Sequence, residues 1–287
     1  MNNPKKHHYI PKSYQLLFSL DDKNLFYFDK ENPKSRPIGP AGPKSFCVEG
    51  YLYSLTGEAA KTADSTTTIE NPILSTIDGR FSDEVKKLIS SNTDKSDVCL
   101  YALASFLGFL SARHPVTIKN YQSDFDEAII RHALERVRQD ERSWVMAEEM
   151  GLDLSDDSQF VDLSFSESRN ISLLKMVENA KNNAEYIHDS MRWLFMYSLE
   201  EDLLLCDNPF IMKNEPIEIG GLFNKNDGFL ALVPLSRQLC LALSPKKRDI
   251  DYLYMKKKHV EEVNSLLMGN AKRWVISSSR EGLENKF

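Results

Sequence analysis

Apolar positions along this chain change their period twice. Up to about residue 60 they come in short clusters, Leu25-Phe26-Tyr27-Phe28 and Tyr51-Leu52-Tyr53, set among Pro33, Pro37, Pro40 and Pro43 with Gly39 and Gly42. Short aromatic runs punctuated by proline and glycine predict strand and loop. From Thr67 the spacing becomes helical: Ile69, Ile73, Ile77, Phe81, Val85, Leu88 and Ile89 recur on one face, and Asn71-Pro72 reads as the cap and first turn of a helix reaching about Ser90.

The longest apolar stretch, Val98 to Ala112, is broken only by Ser105, Gly108 and Ser111 and ends in Arg113-His114-Pro115. A membrane span needs about 20 apolar residues, so this stretch predicts a buried central helix over about 96–112, apolar all round because other elements surround it. Pro115 should stop it. A charged third helix, about 116–150, an acidic loop, 151–158, and a fourth helix, 166–189, follow. After residue 190 the runs turn strand-like again: Trp193 to Tyr197, Leu203 to Cys206, Phe229 to Val233 and Leu239 to Leu243, then a helix from Met255 to Leu267 and a last strand at Trp274 to Ile276. Strands, a helical block and more strands define an α+β fold. It is expected as a single globular domain, with 1–66 strand and loop, 67–189 helical and 190–287 sheet plus helix.

Composition adds boundaries. With 287 residues, 41% of them hydrophobic, the chain can bury a large core. A net charge of -6 argues against a surface devoted as a whole to nucleic acid, while the runs Lys246-Lys247-Arg248 and Lys256-Lys257-Lys258 leave room for a local phosphate contact or, more simply, solvated loops. Cys47, Cys99, Cys206 and Cys240 are widely spaced and form no CxxC pair, so reduced core thiols are expected rather than a zinc knuckle or disulfide framework. The first residues carry no apolar signal segment, and a cytoplasmic setting is the expectation. GxxxxGK[ST], GxGxxG and GxSxG are absent, which disfavours a P-loop, a standard Rossmann site and a serine-hydrolase elbow. Partner proteins or self-association are left open.

The run His7-His8-Tyr9-Ile10-Pro11-Lys12-Ser13-Tyr14, followed by Leu17-Phe18, resembles the opening of a bacterial family catalogued as domain of unknown function 4238. The resemblance continues in order to about residue 245. Ile69-Glu70 and Ile77-Asp78 match a helix with two spaced acids, Arg113 an arginine at a helix end, Asp207-Asn208-Pro209 a turn after a strand, and Pro234-Leu235-Ser236 a strand start. Asp78 stands where glutamate is more usual. The resemblance implies the family and no mechanism.

The paired histidines are also similar to the HHIIP-type start of HNH nucleases. By that analogy His7 would bind a divalent metal and His8 would activate water as general base. Only half of the motif is present, because no further histidine occurs before His114. The alternative is that both rings pin the N-terminal strand. On one continuous helix, Glu70 and Asp78 would lie about 80° apart around the axis. They could then join His7 and Asp207 around Mg²⁺ or Mn²⁺, or simply cap and solvate. Arg113 could clamp a phosphate or carboxylate, or pair internally, with Glu70 as the partner. Asp207, at a strand end, could complete the cluster or build a turn. Two functions follow: a metal-dependent nuclease or related phosphohydrolase, acting as a toxin or antiphage effector on nucleic acid, with His7, His8, Glu70, Asp78, Arg113 and Asp207 as its site; or a binding or regulatory protein in which these residues form a structural polar lock.

Overall fold

The computed structural model describes residues 6–34, 38–63, 69–90, 94–160, 165–246 and 249–287. Its strands are β1 (Lys6–His8), β2 (Leu25–Asp29), β3 (Gly39–Ala41), β4 (Val48–Gly50), β5 (Arg192–Ser198), β6 (Leu205–Cys206), β7 (Ile211–Met212), β8 (Ala231–Ser236), β9 (Leu239–Ser244), β10 (Ile250–Met255) and β11 (Trp274–Ser277). Its helices are α1 (Lys12–Leu16), α2 (Gly57–Thr62), α3 (Ser75–Ile89), α4 (Leu100–Ala112), α5 (Pro115–Val137), α6 (Glu141–Glu149), α7 (Ser166–Ser190), α8 (Lys257–Asn270) and α9 (Glu281–Glu284). Strands and helices segregate along the chain as expected, and the fold is α+β.

One sheet has the order β10-β5-β9-β8-β7, antiparallel except for the parallel β10–β5 pair. A second, β3-β2-β11-β6, is antiparallel throughout and joins the two ends of the chain. The third is the pair β1–β4, which places His7 opposite Glu49 and His8 opposite Val48. Along β8 and β9 every residue is buried. Both faces are covered, so these strands read as continuous apolar runs rather than alternating ones.

The central helix is α4. Leu103, Ala104, Phe106 and Leu107 are fully buried, and the helix lies along α7, where Met176 and Ala180 are also fully buried. The two backbones approach closely at Gly108. A Cβ there would stand 2.2 Å from the Ala180 carbonyl oxygen and 2.8 Å from the Ala184 nitrogen, so the small residue that interrupts the apolar run sets the helix spacing. One contiguous apolar cluster extends from Tyr9 and Tyr14 through α3, α4 and α7 into β5, β8 and β9. A second, small cluster of Ile130, Leu134, Ala147 and Leu154 lies under α5 and α6.

Several elements depart from the expected pattern. The helical spacing from Ile69 is not one helix: Asn71 is extended (φ -139, ψ 117), the Asn71–Pro72 bond is cis, and regular α-helix starts only at Ser75. A residue before proline is disfavoured in the α region, which breaks the helix where the apolar period alone runs on. The expected third helix is two, because Asp140 leaves helical geometry and its carboxylate accepts the Arg142 N–H. Tyr51 adopts a left-handed φ of 54, so Tyr51 to Tyr53 form a turn after β4 and not a strand. The edge strand β10 falls between the expected strand ending at Leu243 and the expected helix from Met255, where the sequence pattern predicts no element; its alternation is blurred because it is only partly buried.

Lys247 and Arg248 lie outside the described residues, and Lys246 donates to the Asn226 carbonyl. Lys257 pairs with Glu201 at 2.7 Å, a solvated contact. Among the described residues no helix is long and apolar enough to cross a membrane.

The α4–α7 contact generates a prediction. Gly108→Ala forces a methyl group into backbone atoms and should destabilise the protein by about 3 kcal/mol, the upper part of the usual overpacking range. Urea denaturation measures this, and a midpoint equal to that of the unsubstituted protein would contradict the packing described.

Candidate functional site

Strand geometry decides what the paired histidines can do together. Successive side chains on a strand point to opposite faces, and β1 separates His7 from His8 in this way. His7 is fully buried. Its ring stacks on Tyr53, centroids 5.6 Å apart and 10° from parallel, and its Nδ1 accepts the Tyr53 backbone N–H at 2.8 Å. His8 turns the other way, with Nε2 donating to the Pro43 carbonyl at 3.2 Å. Burial, followed by the charge of Lys12, pulls its pKa down to about 4, so His8 is neutral at pH 7. The two rings do not converge on one ion.

The rest of the segment is core. Tyr9 donates its backbone N–H to the Cys47 carbonyl and meets the His114 ring edge-on. Gln15 donates to the Ile10 carbonyl at 2.7 Å, closing the turn into α1. Tyr14, fully buried, touches Phe18, Phe81 and Phe106 edge-to-face, and its hydroxyl donates to the Pro234 carbonyl of β8. The family-like opening and the Pro-Leu-Ser strand are therefore in direct contact.

Arg113, at the C-terminal end of α4, is fully buried. Nη1 donates to Asp78 Oδ1 at 2.9 Å, so the partner is Asp78 and not Glu70. The guanidinium carbon stands 5.1 Å over the Phe106 ring, and the Tyr53 hydroxyl donates to the Arg113 carbonyl at 3.1 Å. Nε and Nη2 are buried with no hydrogen-bond partner among the described residues. The Ser13 hydroxyl donates to the Asp78 backbone carbonyl, tying α1 to α3 beside the ion pair.

Glu70 belongs to the same cluster although it is not on α3: it precedes the extended Asn71 and is only half-buried. Desolvation raises its pKa to about 7, the neighbouring Asp78 charge adds to the rise, and Arg113 and Lys12 oppose it. Asp78 is also raised by desolvation, against the pull of Arg113. Glu70 is thus raised first by burial and then by the neighbouring Asp78 charge, while the guanidinium is hydrogen-bonded to Asp78.

Asp207 has another task. Its oxygens accept the backbone N–H groups of Lys272 at 2.8 Å and Arg273 at 2.7 Å, and the neighbouring Asn208 carbonyl accepts from Asn270. It fixes the turn from α8 into β11. The four-residue metal set His7, Glu70, Asp78 and Asp207 does not assemble: His7 Nδ1 is occupied by Tyr53, both Asp207 oxygens are occupied by backbone, and among the described residues no three His, Cys, Asp or Glu side chains gather as a metal-binding group. The cluster that does assemble is Glu70, Asp78 and Arg113, with His7 behind Tyr53. In the sequence Lys12 enters only as part of the opening run and Tyr53 carries no expected role; Tyr53 stands in an ordinary aromatic run and nothing local marks it.

An α+β frame in which the N-terminal His-His-Tyr-Ile-Pro segment packs over a buried arginine and two carboxylates is the class of protein that this fold and cluster define. The profile of the family described as "Protein of unknown function (DUF4238)" matches residues 6–281, and the chain belongs to that family. No curated protein and no solved structure matches it.

The raised Glu70 pKa carries a stability consequence. The folded protein holds the Glu70 proton up to about pH 7, whereas the unfolded chain releases it near 4.5. The native state therefore binds more protons across this window, and the Glu70 contribution to stability is lost as pH rises through it. Glu70→Gln should flatten the fall in denaturation midpoint between pH 4.5 and about 7. Identical pH profiles for both proteins would refute the raised pKa.

Proposed function

We propose that the protein is a hydrolase of phosphodiester substrates, a nuclease, in which Arg113 holds a phosphoryl oxygen and Glu70 carries the proton. The observation that supports this reading is the state of Arg113: a fully buried guanidinium whose Nε and Nη2 have no hydrogen-bond partner among the described residues, with Asp78 bound to Nη1. Buried donors without partners are costly, and a guanidinium edge presented in a low-dielectric site suits an anionic oxygen. Asp78 holds the other side of the fork in place. In the proposed step ionised Glu70 takes a proton from water as the water oxygen bonds to phosphorus, and the resulting acid returns a proton to the departing ester oxygen. A nuclease of this kind acts on a cell's own or an invading nucleic acid, as a toxin or an antiphage effector does.

The second reading is a binding or regulatory protein with a polar lock. It is favoured by His7 and Asp207, whose acceptors are committed to backbone N–H groups.

Labelled RNA and DNA incubated with the purified protein in EDTA, Mg²⁺ or Mn²⁺ separate the two. Cleavage should rise through about pH 7. It should fall at least about 100-fold in Glu70→Gln, as loss of a general base does, and survive in His8→Ala, whose ring faces away. Cleavage unaffected by Glu70→Gln, or no cleavage in any of the three conditions, would favour the lock.

A further inference from the structure

Outside the cluster, the feature with the clearest chemistry is a cavity of about 520 Å³ between α3, α4 and α7. Its volume falls within the range of roughly 300–1,000 Å³ usual for small-ligand pockets. Ile77, Ala102, Phe109 and Ala184 give it an apolar wall. Arg80 and Lys181 supply the positive charge at its edge. Arg80 is exposed and has no ion-pair or hydrogen-bond partner among the described residues. Lys181 has only a solvated contact with Glu185 at 3.9 Å.

The carboxylate that lines the cavity is already committed. Glu84 Oε1 accepts from Lys87 at 2.8 Å and Oε2 from the Cys99 backbone N–H at 2.8 Å. The cavity thus offers an apolar body and a cationic rim, on which Arg80 has no partner among the described residues and Lys181 has only its solvated contact with Glu185. We propose that it binds an amphiphilic anion, an alkyl carboxylate of medium length, with the chain against Ile77, Ala102 and Phe109 and the carboxylate between Arg80 and Lys181. Charge complementarity selects this occupant over a neutral or cationic chain of the same length. The site lies on the α3 face that carries Ile77, Arg80 and Glu84 and does not depend on the nuclease reading.

Cys99 provides the test. It lines the cavity and is exposed, whereas Cys47, Cys206 and Cys240 are buried, so iodoacetamide acting on the native protein should alkylate Cys99 alone. Monomeric decanoate should slow that alkylation in a saturable way, while the buried thiols stay unmodified and so report an intact fold. Arg80→Gln should raise the half-protecting concentration about fivefold, the worth of one partly exposed ion pair. Absence of protection by decanoate, or equal protection by decanol or decyltrimethylammonium, would overturn the proposal.

Discussion

A guanidinium with no solvent contact has to be compensated where it stands. Removing a charge from water costs several kcal/mol even after relaxation, and it is tolerated when opposite charge and hydrogen bonds replace the lost hydration. Arg113 is such a group, and much of the local architecture can be read as its compensation. Asp78 comes from α3, the Phe106 face from about two turns earlier on α4, and the Tyr53 hydroxyl holds the Arg113 carbonyl. His7 is fixed on the Tyr53 ring and backbone, which docks β1. Tyr14 shares Phe106 and reaches β8. The N-terminal segment, the helical block and the five-stranded sheet meet around this one charge.

The compensation is incomplete among the described residues, and the proposed chemistry draws on that. Burial and the nearby Asp78 charge make Glu70 keep a proton that an exposed glutamate would lose, while two guanidinium nitrogens keep donors that nothing in the described fold accepts. A purely structural network gains from closing every such valence. Perturbed acids beside an open donor pair are the arrangement in which catalytic groups recur, and the proposed hydrolysis rests on that asymmetry.

Much of the frame was legible in the sequence because it follows from periodicity. The apolar run that became α4, the long helix α7, and strands β2, β5, β9 and β11 all declare themselves through spacing or aromatic content. The misplaced elements are those decided by single residues: Asn71 before a proline, Asp140 as a cap, Tyr51 at positive φ. For the cluster, Glu70, Asp78 and Arg113 were recognisable as chemistry-bearing residues. Their pairing was not, because Asp78 and Arg113 meet across two helices. The opposite facing of His7 and His8 follows from period-two geometry once β1 is known to be a strand, and that depends on pairing with Val48–Gly50. Asp207 misleads for a similar reason: the backbone N–H groups that occupy it lie at Lys272 and Arg273, far along the chain.

The central claim, that burial beside the Asp78–Arg113 pair raises the Glu70 pKa, is tested most directly by carbon-detected NMR of the Glu70 side-chain carboxyl as pH is varied. The account predicts a midpoint near 7, moving higher in Arg113→Met as the opposing positive charge is removed. A midpoint at the ordinary 4.5, indifferent to Arg113, would contradict it.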